Sequence, residues 1–142
     1  MLSKLKSFSL SHERLTVFSV GAFGYGACEL LCRGFTHWTM LVAGGICLLG
    51  IYEAEKKYGE LNIALRCFFG SVYITSIELI FGCVVNLLLG WEVWDYSEIP
   101  FNFLGQICLK FFFLWFLFCF AIFYICKKLR RFYGEGLANA GK

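Results

Sequence analysis

Residues 91–110 read WEVWDYSEIPFNFLGQICLK, a polar interlude between two long apolar segments. Glu92, Asp95 and Glu98 stand in it together with Pro100, the single proline of the chain. Proline disfavours helical geometry at Ile99, and Asn102 just behind it offers a side chain that can cap exposed amides. A helix is therefore predicted from Asn102. Asn102, Gln106 and Lys110 recur every fourth residue, so on such a helix they share one polar face. Trp91, Trp94 and Tyr96 are amphipathic side chains of the kind enriched at membrane–water boundaries, which puts the preceding loop at headgroup level.

The rest of the composition agrees with a membrane setting. Of 142 residues, 59% are hydrophobic and 20% aromatic while 16% are charged, which excludes a soluble globular domain. The predicted fold class is all-α: a polytopic membrane protein with four transmembrane helices in two hairpins. The spans are placed at about residues 15–32, 38–54, 61–90 and 102–126 from the length a bilayer demands. Residues 1–14 are expected to form an amphipathic cytoplasmic segment, and residues 127–142 a basic cytoplasmic tail. The basic start lacks a small-residue cleavage site behind a short apolar core, so the first helix is expected to remain as an anchor.

Basic residues set the orientation. With both termini cytoplasmic, that side holds Lys4, Lys6, Arg14, Lys56, Lys57, Arg66, Lys127, Lys128, Arg130, Arg131 and Lys142, and the far side holds Arg33. Positive charge concentrates on the cytoplasmic face of membrane proteins, so termini inside a plasma (inner) membrane are expected.

The eight cysteines all fall within or at the ends of apolar segments, where they act as small hydrophobes. No metal site and no cofactor is expected, because ligand spacing is missing. Gly136–Lys142 reads GLANAGK, which imitates the start of a phosphate loop without its Ser or Thr and without a flanking strand. The basic residues are accounted for by topology, which leaves no case for nucleic-acid binding.

Ionisable residues inside apolar spans carry the most information, since a charge at a helix centre costs about 2.5–3.5 kcal/mol on insertion scales. Glu29 has Arg33 at i+4, the favoured order for a helical ion pair. Glu78 has no cation beside it in sequence, and depth arithmetic on a helix starting at Asn102 brings Lys110 to it. Glu29 closes a small-residue stripe with Ser19, Ala22 and Gly26; Gly70, Ile74, Glu78, Gly82 and Asn86 make a second. Glu29, Arg33, Glu78, Asn86, Asp95, Tyr96, Asn102, Gln106 and Lys110 are the candidate lining of a polar cavity. Local pairing, interhelical hydrogen bonding and loop architecture are the competing readings of the same residues.

The block WDYSEIPFNFLGQICL resembles the signature of the ABC-transporter type IV family, the CmpB-like group of small integral membrane proteins. Glu29, Arg33-Gly34-Phe35, Glu78 and Trp115 match its other marks. The chain departs after Phe35, where THWTMLVAGGI replaces the Gly-Pro and Pro-Ile-Tyr-Gly pattern of the family. The family label carries little mechanistic content, and the favoured reading is a transporter-like or permease-like component for a small polar or amphiphilic solute, without its own ATPase. With four helices, a pathway calls for a homo-oligomer or a partner membrane subunit among the surrounding lipids. Two alternatives stand beside it: a membrane-embedded enzyme using Glu78, Asp95 and Lys110, and a lipid-binding or assembly factor.

Overall fold

A computed structural model describes residues 2–140, with side chains described from Leu10 to Gly134. Four helices dominate: α1 (Leu2–Arg33), α2 (Trp38–Tyr58), α3 (Ile63–Gly82) and α4 (Leu109–Ala140). A π-helix, Cys83–Leu88, continues α3, and two short strands, β1 (Asn102–Phe103) and β2 (Ile107–Cys108), precede α4. The side chains of residues 1–9, including Lys4 and Lys6, and the C-terminal stretch with Lys142 lie outside the described residues.

Among the described residues, three helical stretches are long and apolar enough to cross a membrane: Leu10–Arg33, Ile63–Leu88 and Leu109–Gly134. The second helix, α2, is not among them. Three glycines and the charged last turns Glu53–Lys57 lower its hydropathy. It is also the helix most covered by protein, with ten of its 21 residues buried. A helix sheathed by its neighbours has less need of lipid-compatible side chains.

The chain divides into two compact units. The first combines Met1–Lys57 with Phe123–Lys142, and its core holds Val17, Met40, Ala43, Leu48, Ile51, Tyr52 and Cys126. Here α1 and α2 approach backbone to backbone. A Cβ added at Gly21 would lie 2.5 Å from the Gly44 carbonyl oxygen, and one at Gly44 would lie 2.3 Å from Tyr25 Cβ. Small residues permit that approach, which lets dispersion contacts replace the hydrophobic drive that lipid removes.

The second unit is Tyr58–Ile122. Asn62 opens α3, its side-chain oxygen accepting from the Ala64 amide at 2.8 Å. Gly70, Ile74, Glu78 and Gly82 are all buried along α3, so the four-residue stripe faces inward. Phe113, Leu117, Phe118 and Phe120 of α4 are exposed, the surface expected of a helix in hydrocarbon.

The structure corrects the entry of the last helix. It begins at Leu109, not Asn102. Asn102 and Phe103 pair antiparallel with Cys108 and Ile107, and the turn between them puts Leu104 at φ 55° and Gly105 at φ 68°. Gln106 N donates to Phe103 O at 3.0 Å across this turn. Two consecutive positive φ angles match a type I′ hairpin turn and cannot belong to a helix. The predicted span 61–90 holds α3 and the π-helix, and residues 2–14 of the predicted N-terminal segment are continuous with the first span as one helix.

Candidate functional site

Glu78 sits on the buried face of α3 with 3% of its surface exposed. Its carboxylate Oε2 accepts a hydrogen bond from Trp115 Nε1 of α4 at 2.9 Å. One helical turn earlier, Thr75 carries a buried hydroxyl with no hydrogen-bond partner among the described residues. Thr75 and Glu78 are three apart and so lie on adjacent positions of one helix surface. The result is a polar point set into an apolar span. The hydroxyl can donate and accept, the carboxylate accepts, and the indole positions that carboxylate.

The interlude between the spans folds as a cap on the π-helix. Asn86 Nδ2 donates to Trp94 O at 2.9 Å and to Gln106 Oε1 at 2.7 Å, while Asn86 Oδ1 accepts from Val93 N at 2.8 Å. Trp94 Nε1 donates to Gln106 O at 3.0 Å, and Gln106 Nε2 donates to Leu104 O at 3.0 Å. Gln106 is 3% exposed, so these bonds answer the desolvation of its amide. It rests against Gly82, where an added Cβ would lie 2.5 Å from Gln106 Oε1.

Asn102 organises the loop from within. Its Nδ2 donates to Ser97 O and Ile99 O, and its Oδ1 accepts from Gly105 N. Asp95 accepts from the Ser97 amide and the Ser97 hydroxyl, each at 2.8 Å. Those two bonds, the amide first, hold the Asp95 carboxyl below its ordinary pKa. The Tyr96 ring stacks on Phe111 with centroids 4.6 Å apart, and Tyr96 N donates to Gly105 O at 2.7 Å.

Glu29 and Arg33 belong to the first unit. Arg33 Nη1 lies 2.7 Å from Glu29 Oε1, and Thr36 Oγ1 donates to Glu29 Oε2 at 2.6 Å. Both oxygens of this carboxylate, 7% exposed, are thereby met. The guanidinium also lies 4.5 Å from the centroid of Phe35. Sixteen residues earlier on the same helix, buried Glu13 accepts from Tyr52 Oη at 2.5 Å and pairs with Lys56 Nζ at 2.6 Å.

The structure thus sorts eight of the nine predicted residues into three settings and sets Lys110 apart. Asn86, Asp95, Tyr96, Asn102 and Gln106 build the cap; Glu29 and Arg33 form a local pair; Glu78 stands on the face of α3 toward Trp115. Lys110 is corrected. It is exposed, at the second residue of α4, with Nζ 5.8 Å from the Phe111 ring centroid. Its predicted pairing with Glu78 rested on a helix start seven residues too early, about 10 Å of helical rise. Among the described residues no hydrogen bond or ion pair joins Glu78, Asp95 and Lys110, the trio of the enzyme reading. Thr75, Glu13, Tyr52 and Lys56 are additions. A hydroxyl one turn before an intramembrane acid was a usable signal for Thr75, whereas Glu13 and Tyr52 meet across 39 residues with no local cue.

Buried carboxylates on long apolar helices, one of them roofed by a hydrogen-bonded loop, define a helical integral membrane protein. A family model described as Putative ABC-transporter type IV matches residues 16–137, and the chain belongs to that family. No curated protein and no solved structure matches the chain.

Proposed function

We propose that the protein is a permease-like membrane component that handles a small polar or amphiphilic solute and contains no ATPase of its own. The observation that carries this reading is Glu78, an acid buried in the middle of a span. Ionisable residues are costly at such depth and are retained where they meet a solute, an ion or a proton. Thr75 supplies a hydroxyl on the same surface, and Trp115 a face on which a cationic or amphiphilic group can rest.

In this reading all four helices cross the bilayer. The 21 residues of α2 rise about 31 Å, enough to span. Both termini face the cytoplasm across a plasma membrane, as the placement of Lys and Arg supports. A second copy or a partner membrane subunit completes the pathway. The family membership supports the transport setting.

The test is uptake into proteoliposomes of a panel of small zwitterionic, cationic and amphiphilic solutes, with Glu78→Gln and Thr75→Val beside the native chain. The expected result is accumulation of at least one class, reduced about tenfold or more by Glu78→Gln in protein that keeps its thermal stability. Full uptake by a folded Glu78→Gln variant would remove Glu78 from the pathway and the reading with it.

A further inference from the structure

The C-terminal part of α4 presents two faces with different tasks. At 100° per residue, Phe123, Cys126, Arg130 and Tyr133 fall on one side of the helix. That side is engaged within the first unit. Phe123 and Cys126 are buried, Arg130 Nη1 donates to Glu55 O at 3.2 Å, and Tyr133 Oη donates to Thr16 Oγ1 at 2.8 Å. Tyr124, Lys127, Lys128 and Arg131 fall on another side, following the i, i+3, i+4, i+7 pattern. All four are exposed.

The basic residues of this unit are divided in the same way. Arg14 pairs with Glu53 at 2.9 Å and Lys56 with Glu13. Lys127, Lys128 and Arg131 have no acidic partner among the described residues; Lys128 Nζ lies 5.1 Å from the Tyr124 ring centroid. Depth fixes where these charges come out. From Leu109 to Cys126 the helix rises about 27 Å, close to the thickness of the hydrocarbon layer, so Lys127 is the first residue at headgroup level. Tyr124 and Phe132, 61% and 70% exposed, flank the cations with aromatic surface suited to the same boundary.

We infer that Tyr124, Lys127, Lys128 and Arg131 form a docking face for the phosphate headgroups of anionic phospholipids in the adjoining leaflet. A cationic cluster directly beyond an apolar span, with no acidic partner among the described residues, is the complement of that surface. The two lysines supply point charges, and Arg131 supplies a planar fork that can hold two phosphate oxygens. The inference needs the chain to lie in a membrane and does not depend on the solute reading.

The test is native mass spectrometry of the full chain, released from detergent after incubation with equimolar phosphatidylglycerol and phosphatidylcholine of identical acyl chains. Phosphatidylglycerol adducts should exceed phosphatidylcholine adducts by about tenfold. In a K127Q/K128Q/R131Q variant that elutes as the native species, the ratio should fall below about twofold, while K127R/K128R keeps it. If the triple variant does not fold, K127Q/K128Q serves, with a drop of about threefold or more. A native ratio near one, or a ratio unchanged in a folded variant, would overturn the proposal. So would capture of a single-stranded oligonucleotide by the native chain in phosphatidylcholine nanodiscs that the lysine variants abolish, because the face would then belong to nucleic acid.

Discussion

Both units bury glutamate on an apolar helix, and Glu29 and Glu78 are met by residues at very different distances along the chain. In the first, Glu29 receives a guanidinium and a hydroxyl from residues four and seven positions along, so its charge is answered by its own neighbourhood. In the second, Glu78 receives the indole of Trp115, a neutral donor 37 residues away on another helix. A local ion pair is a structural unit that travels with its helix. A carboxylate held by a neutral donor from a distant helix reports on the packing of that helix.

The glycine contacts separate the units in the same manner, and they give the largest expected effect. Gly44→Leu drives a side chain into Tyr25 Cβ and the Gly21 carbonyl oxygen, atoms that cannot retreat without parting α1 and α2. Overpacking of this kind costs about 3 kcal/mol or more, to be seen as a large loss of thermal stability in detergent. Gly82→Ala puts a methyl against the Cβ and Oε1 of Gln106, and moving that side chain gives up its bond from Asn86, so a cost of about 2–3 kcal/mol is expected.

Arg33→Met comes next. It leaves Glu29 buried with its charge half answered, at an expected cost of about 2 kcal/mol, below that of a fully buried pair because the arginine side chain is 28% exposed. A Glu29→Gln/Arg33→Met double variant should regain most of that loss in the same melting assay. An additive double variant would show that the pair is not the unit it is described to be.

Trp115→Phe should cost about 1.5 kcal/mol by removing a hydrogen bond to the buried Glu78 carboxyl group together with part of the ring volume. Its sharper readout is uptake, which should suffer more than stability. Equal losses in both would reduce the Glu78–Trp115 contact to packing.

The smallest effect is expected at Asp95, which is exposed. The folded state holds its pKa below the unfolded value, so the associated stabilisation is complete above the ordinary carboxylate pKa and disappears as pH falls through the lower folded one. The stability difference between the native chain and Asp95→Asn should therefore be present at neutral pH and close below about pH 4. A gap that persists in acid would mean that the protonated Asp95 carboxyl holds Ser97 as well as the carboxylate does, so that the charge is not its source.

What could be read in advance followed from how local each interaction is. Glu29 with Arg33 was legible because an i, i+4 spacing is itself a geometric statement. The inward stripe of Gly70, Ile74, Glu78 and Gly82 was legible for the same reason. The cap was misread because Asn102, Gln106 and Lys110 satisfy a helical period by spacing alone. Their conformation is decided by bonds the period does not record: Asn102 turns its amide to Ser97, Ile99 and Gly105, and side chains that bond locally compete with the helix. The partner of Glu78 could not be found by depth, since depth inherited the wrong helix start.

The π-helix at Cys83–Leu88 has a consequence of its own. Leu89 N reaches back five residues to Val84 O and Trp91 N reaches six to Val85 O, so the chain carries surplus length where it leaves the bilayer. That surplus sets the angle at which Asn86 meets Trp94, Val93 and Gln106. Deleting a single residue, such as Val84, would let the segment relax to 3.6 residues per turn and swing everything beyond it by about 100°. The aim of the cap is thus stored as a residue count, and a chemically silent indel there should disorder it more than many substitutions of its side chains.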